Sequence, residues 1–220
     1  MSCPAHALAA SRGMLAAADV DLIREVVAKL PSGSTIVDVG AGSGTTALAV
    51  FAERTTMHLV SIEADVSIMN WARQAVENIG ASELWDDRVE DAIEAAVSFP
   101  DSHASFIILD AAHEEDDVRA ELEAWLPKLA PGGYLLVHDY DAYTAPNFYP
   151  GVKAAVDPFI AKDELQRVKQ QGWSILLQST YSDDDDKAPS WAPGEGPEEP
   201  EGKPTPRKSP RRPKQKQKTS

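Results

Sequence analysis

The chain has 220 residues, 43% of them hydrophobic, which suffices for one ordinary domain with some length to spare. Its net charge of -14 is unevenly spread: residues 1–202 hold 13 Lys and Arg against all 35 Asp and Glu, whereas residues 203–220 hold 8 Lys and Arg and no acid. An acidic body repels phosphate backbones, so nucleic acid is not its expected substrate, and the lone Cys3 excludes both an intramolecular disulfide and a Cys-based zinc site.

Short β-branched runs alternate with longer amphipathic stretches, the pattern of an α/β fold with a parallel sheet. In chain order it predicts a helix over Val20–Lys29, a strand over Thr35–Val39, a helix over Thr45–Glu53 and a strand over His58–Ile62. A helix over Val66–Ile79, a short extra strand near Leu84–Val89 and a helix over Ala92–Val97 follow. Next come a strand over Phe106–Leu109, a helix over Glu115–Leu126 and a strand over Tyr134–His138. A helix over Gly151–Phe159 and strands over Leu165–Lys169 and Ser174–Gln178 complete the series. Turns are expected at Pro31-Ser32-Gly33 and Pro131-Gly132-Gly133, where glycine permits the positive φ that ends a helix before a strand. From about Tyr181 the composition becomes acidic and Pro-rich, then basic from Lys203 to Lys218. With Trp191 nearly its only large apolar group, this stretch cannot offset its ordering entropy, so we expect a domain over residues 1–180 and a disordered tail over 181–220. No apolar run approaches the roughly 18 residues of a membrane span, and the N-terminus lacks the marks of a signal peptide. The expectation is a soluble, cytoplasmic protein.

The buried-strand pattern Thr35–Val39 runs straight into Gly40-Ala41-Gly42-Ser43-Gly44, and a helical run follows. Glycines there allow a tight turn and close approach to a ligand, and free N–H groups at the helix start favour a polar or anionic group. The next strand delivers Glu63 to the sheet's carboxyl edge, where it can accept both hydroxyls of a ribose. Asp38 sits just before the loop, placed to meet a cationic amino acid moiety. Glu63 would also suit NAD, but the dinucleotide fingerprint asks for a sixth-position glycine, and that position is Thr45.

With Asp38, Gly40, Gly42, Gly44, Glu63, Asp91 in Glu90-Asp91-Ala92 and the Pro131-Gly132-Gly133 turn, the sequence resembles class I S-adenosylmethionine-dependent methyltransferases over roughly residues 15–180. The resemblance implies a Rossmann-like, doubly wound, mostly parallel seven-stranded sheet with an antiparallel edge strand. It also implies S-adenosylmethionine held by Asp38, Gly40, Ala41, Gly42, Ser43, Gly44, Glu63, Asp91, Ala92 and Asp110, with Asp91 and Ala92 near the adenine.

Two further strands deliver Asp110-Ala111-Ala112-His113 and His138-Asp139-Tyr140-Asp141 above the same crevice. Carboxylates and imidazoles grouped in this way suit acid–base chemistry or a hard cation. Together with Pro150-Gly151-Val152-Lys153 they are similar to the small-molecule O-methyltransferases that include catechol and macrolide-sugar enzymes. In the metal-dependent members two Asp and an Asn bind magnesium; Asp110 and Asp139 match the acids, and Tyr140 stands in place of the Asn, leaving Asp141 or water to complete the shell. The family's basic residue corresponds to His113, the first-choice base, with His138 second. The acceptor implied is a hydroxyl of a small molecule. Specificity is expected in the N-terminal segment and in residues 141–149, where Tyr143, Phe148 and Tyr149 either line a pocket or pack the loop.

Two competing readings stand beside this one. A nucleic-acid methyltransferase recruited through the basic tail would carry an Asp/Asn-Pro-Pro-aromatic motif where this chain has Asp110-Ala111-Ala112-His113, or a catalytic cysteine that Cys3 is badly placed to supply. A cofactor-binding module without catalysis would bind but not turn over. The tail itself either solubilises, tethers the chain to an anionic partner, or folds back on Asp183–Glu201.

Overall fold

A computed structural model describes residues 3–12, 14–53, 56–141 and 149–181. The expected disorder of the tail and the pocket roles of Tyr143 and Phe148 lie outside the described residues. The elements run α1 (Pro4–Arg12), α2 (Ala17–Lys29), β1 (Thr35–Val39), α3 (Thr45–Glu53), β2 (His58–Ile62), α4 (Val66–Asn78) and β3 (Trp85–Arg88). They continue with α5 (Ala92–Ser98), β4 (Ala104–Leu109), α6 (Glu115–Trp125), β5 (Leu129–Val137), α7 (Pro150–Ala161), β6 (Leu165–Gln171) and β7 (Ser174–Ser179).

The strands form one seven-stranded sheet in the order β3-β2-β1-β4-β5-β7-β6. Pairs from β3 to β5 are parallel, and β7 runs antiparallel to both of its neighbours, one place in from the edge strand β6. Alternation along each strand feeds two apolar layers because successive side chains point to opposite faces. Val37, Val39, Ile107, Leu109, Leu135 and Val137 pack with α5, α6 and α7 on one face. Ile36, Phe106, Ile108 and Leu136 pack with α1, α2 and α3 on the other. The chain reverses its direction of winding between β1 and β4, which opens a crevice at the carboxyl ends of these strands.

Three features differ in detail from the sequence reading. Pro131-Gly132-Gly133 lies inside β5 rather than before it: pairing jumps from Ala104 opposite Leu129 to Phe106 opposite Tyr134, and Gly132 takes a φ of 66° where the strand kinks. The fifth strand ends at Val137, so His138 stands just beyond it. Helix α1 has no counterpart in the predicted elements; its Ala5 and Ala9, one turn apart, are small enough to be buried without a conspicuous apolar stripe.

Candidate active site

The glycine loop is fixed by steric demands that exclude side chains. Gly40 has a φ of 94°, and a Cβ there would lie 2.4 Å from the carbonyl oxygen of Asp110. Gly44, with a φ of 84°, presses on Ala72 of α4, where a Cβ would lie 2.8 Å from the Cα. The N–H groups of Gly40 and Ala41 both donate to the carbonyl of Ile62, at 2.9 and 3.0 Å. The N–H of Gly42 donates to Glu63 Oε2 at 3.2 Å, and Asp65 N–H to Glu63 Oε1 at 3.0 Å. These three loop N–H groups, which precede the start of α3, are bonded within the protein. Their bonds hold Glu63 at the crevice, and its carboxylate retains lone pairs for hydroxyl donors.

Asp38 is fully buried beneath the loop and takes no part in the crevice wall. It accepts a hydrogen bond from Ser61 Oγ at 3.2 Å, and Ser61 Oγ accepts one from Trp85 Nε1 at 2.9 Å, which ties β1 to β2 and β3. Burial, with Asp110 nearby, pushes its carboxyl up to about 8. Asp91 does reach the crevice and also caps α5, accepting from Ile93 N–H at 2.9 Å and Glu94 N–H at 3.2 Å. Ala92 lines the crevice beside it, whereas Ala41 and Ser43 are buried in the loop.

The crevice has a volume of about 680 Å³. Gly40, Gly42, Glu63 and Asp91 line it together with Asp110, His113, His138 and Asp139, so the residues singled out in sequence as two groups share one cavity. Ligand atoms of Asp110, His113 and Asp139 lie within 4.8 Å of one another, and His113 Nε2 is 3.1 Å from Asp139 Oδ2. Asp139 adopts a φ of 55°, uncommon for a residue with a side chain and of the kind that surrounding structure must enforce. The ion-pair contact with Asp139 raises the affinity of His113 for its proton. Burial opposes the charged form of Asp139, but His113 and His138 outweigh it and hold its carboxyl well below the usual range.

His138 is almost fully buried, with Nδ1 2.8 Å from Asp110 Oδ1 and 3.5 Å from Asp139 Oδ2, and Nε2 3.6 Å from Asp19 Oδ2. Burial favours its neutral form, yet the surrounding carboxylates prevail and raise its pKa well above the ordinary histidine value. His113 is more open, with a side chain 32% exposed and its ring 4.1 Å from that of Tyr149. Tyr140 does not substitute for an asparagine at the site. Its hydroxyl engages Lys153, Asp157 and Arg167 instead. Asp141 accepts from Gln170 Nε2 at 3.0 Å and stands outside the cluster, so His113 is its third member.

Two residues of the site escaped the sequence reading. Glu121 lines the crevice from α6, nearly buried, and burial lifts its carboxyl to about 7 against an opposing hydrogen bond from the Ala112 backbone. Its signal was available: an acid on the same stripe as Val118, Leu122 and Trp125. Asp19, wholly buried in α2, accepts from Ala16 N–H at 2.8 Å and Trp173 N–H at 2.9 Å and faces His138. The predicted helix begins one residue after it, at Val20, and the structure starts α2 at Ala17.

Residues 37–140 match the family model of a methyltransferase domain. The matched segment is just under half of the chain. The match spans Asp38, the glycine loop and the crevice acids from Glu63 to Asp139, which bears out the resemblance drawn from those residues. Among solved structures, the methyltransferase fold is shared with cofactor-bound Rv0187 from MTB, at 13% identity and a TM-score of 0.67, covering 82% of this chain and 92% of that one. It is also shared with the O-methyltransferase TomG from Streptomyces achromogenes, in complex with SAM, at 16% identity and a TM-score of 0.60, covering 74% and 80%. A third likeness is to the O-methyltransferase from Bacillus cereus in complex with SAH, at 14% identity and a TM-score of 0.59, covering 73% and 80%. A comparison with curated protein sequences found no match. Among the described residues, no helix is long and apolar enough to cross a membrane.

Proposed function

We propose that this chain transfers the methyl group of S-adenosylmethionine to a hydroxyl of a small molecule, with residues 1–180 as the catalytic domain. The observation that carries the reading is the shared cavity: Gly40, Gly42, Glu63 and Asp91 form one part of its wall, and Asp110, His113 and Asp139 another. Two glycines at which a Cβ would strike backbone or the Met14 side chain fit a cofactor that lies close to the chain. Cofactor complexes of proteins with the same fold support the choice of ligand. Glu63 would take the ribose hydroxyls and Asp91 with Ala92 the adenine side. Asp38 acts from beneath by holding the strands that carry the loop.

The acceptor oxygen attacks the sulfonium methyl carbon in line: an O–C bond forms, the C–S bond breaks, and its electron pair goes to sulfur. The donor is already activated, so alignment supplies much of the acceleration. With its Nε2–H donated to Asp139, His113 leaves the Nδ1 lone pair to take the hydroxyl proton. His138 lies too deep to meet an acceptor and serves to order Asp110 and Asp139. A divalent cation fits the same cluster, where Asp110 and Asp139 would hold it. When bound, such an ion lowers the pKa of the acceptor hydroxyl and orients a vicinal diol.

Among the described residues no Lys or Arg lines the cavity, whereas Glu63, Glu90, Asp91, Asp110, Asp117, Glu121 and Asp139 do. This field disfavours a phosphate backbone and with it a nucleic-acid acceptor. The test is methyl transfer from labelled S-adenosylmethionine to a panel of hydroxylated small molecules, with and without chelator. Turnover abolished by His113→Ala supports the reading; cofactor binding without transfer to any member would favour a binding module instead.

A further inference from the structure

We propose that His113 is a metal ligand that, with Asp110 and Asp139, makes the cluster selective for a borderline transition ion such as Mn2+, Co2+ or Zn2+ over magnesium. This rests on the cation reading of the site given above. Magnesium demands a near-octahedral shell of oxygens, and the residue at hand to supply a further oxygen, Tyr140, is drawn away to Lys153, Asp157 and Arg167. Asp141 is engaged by Gln170. The third donor within reach is the imidazole of His113, its Nε2 3.1 Å from Asp139 Oδ2 and all three donors within 4.8 Å of one another. Ligand bonds of about 2.0–2.2 Å place neighbouring donors about 3 Å apart, so this spacing suits two members of one shell. Imidazole nitrogen favours transition ions, while an all-oxygen set suits magnesium.

The surroundings complete the argument. His138, nine-tenths buried, lies 2.8 Å from Asp110 Oδ1 and 3.5 Å from Asp139 Oδ2, an outer group that orients both carboxylates toward the cavity. Three protein ligands leave coordination positions open to acceptor hydroxyls, as in catalytic rather than structural sites. Nε2 cannot both bind a metal and donate to Asp139, so loading replaces the base role of His113 with activation by the ion.

The full chain, freed of metal, is titrated separately with Co2+ and Mg2+ by calorimetry, and its Co2+ complex is studied by visible absorption and paramagnetic proton NMR. Expected are Co2+ bound at least about a hundredfold tighter than Mg2+ and a hyperfine-shifted, exchangeable imidazole proton. His113→Asn should lose that signal and weaken Co2+ by about tenfold or more while leaving Mg2+ nearly unchanged. Co2+ no tighter than Mg2+, no binding of either, or a variant that keeps both signal and affinity overturns the proposal. If His113→Asn does not fold, His113→Gln takes its place, and absence of the ring-proton signal from the unaltered chain is by itself decisive against it. Calorimetry with S-adenosylmethionine on the same samples separates the two readings: cofactor bound without the metal preference defeats only this proposal, whereas metal bound as described without cofactor defeats the function.

Discussion

At the scale of single residues, depth decides what a carboxylate does. The position of Asp38 was legible from the strand that precedes the glycine loop, but spacing along a strand does not report burial, and the structure makes it an anchor. Its carboxyl lies at about 8 and that of Glu121 at about 7, so both bind protons in the folded chain at pH values where the unfolded chain has released them. His113 and His138 are shifted upward too, in the same sense. Stability should therefore fall as pH rises from about 5 to 8, because the native state binds more protons than the unfolded state across that window. Asp139, held low, contributes stability that disappears only under acid conditions. Thermal melts across this range check the point: Asp38→Asn should flatten the decline, and a wild-type profile that rises or stays level would refute the assignment of buried, protonated acids. Glu121 and Asp19 were missed for the same reason, since an acid in a helix or just before one reads as solvated until its neighbours in space are known.

At the scale of elements, the strand and helix centres were legible wherever periodicity was clear. β1, β2 and α3 lie where the sequence places them because β-branched runs and a helical run that is apolar nearly all round leave little choice. The Pro131-Gly132-Gly133 kink was not legible, because the pairing of Ala104 with Leu129 that draws it into β5 is a contact between distant parts of the chain. The loop after β1 is the least tolerant element. Gly40→Ala combines a positive φ with a clash against the Asp110 backbone and should cost about 2–4 kcal/mol by chemical denaturation; a neutral effect would mean the loop relaxes freely. Asp91 offers a finer test, because it caps α5 and faces the cavity at once. Asp91→Ser should keep most of the cap yet weaken cofactor binding, whereas Asp91→Ala should lose about 1 kcal/mol of stability in addition. Equal affinities in wild type and Asp91→Ser would reduce this residue to a cap.

At the scale of the whole molecule, the winding order of the sheet brings the ends of β1, β2, β4 and β5 around one crevice, which is why residues as distant as Glu63 and Asp139 meet there. The parallel pattern made this grouping legible in sequence; the orientations of Tyr140 and Asp141 depend on side-chain partners on α7 and β6, and that of His113 on Asp139 and Tyr149, and were not. The carbonyl of Tyr181 accepts from Gly132 N–H at 3.1 Å, so the chain should be needed as far as that residue. A chain ended directly after Tyr181 should melt at the same temperature as the full one, and a drop of several degrees would assign the tail a place in the fold. The methyl transfer proposed for the crevice depends on its cofactor, and calorimetric titration of the full chain with S-adenosylmethionine measures that directly. The account predicts one site per chain that Glu63→Ala weakens by about tenfold to a hundredfold and Gly42→Val sharply, through lost charge-assisted hydrogen bonds and a filled cradle. No binding, or binding unchanged in both variants, would contradict it.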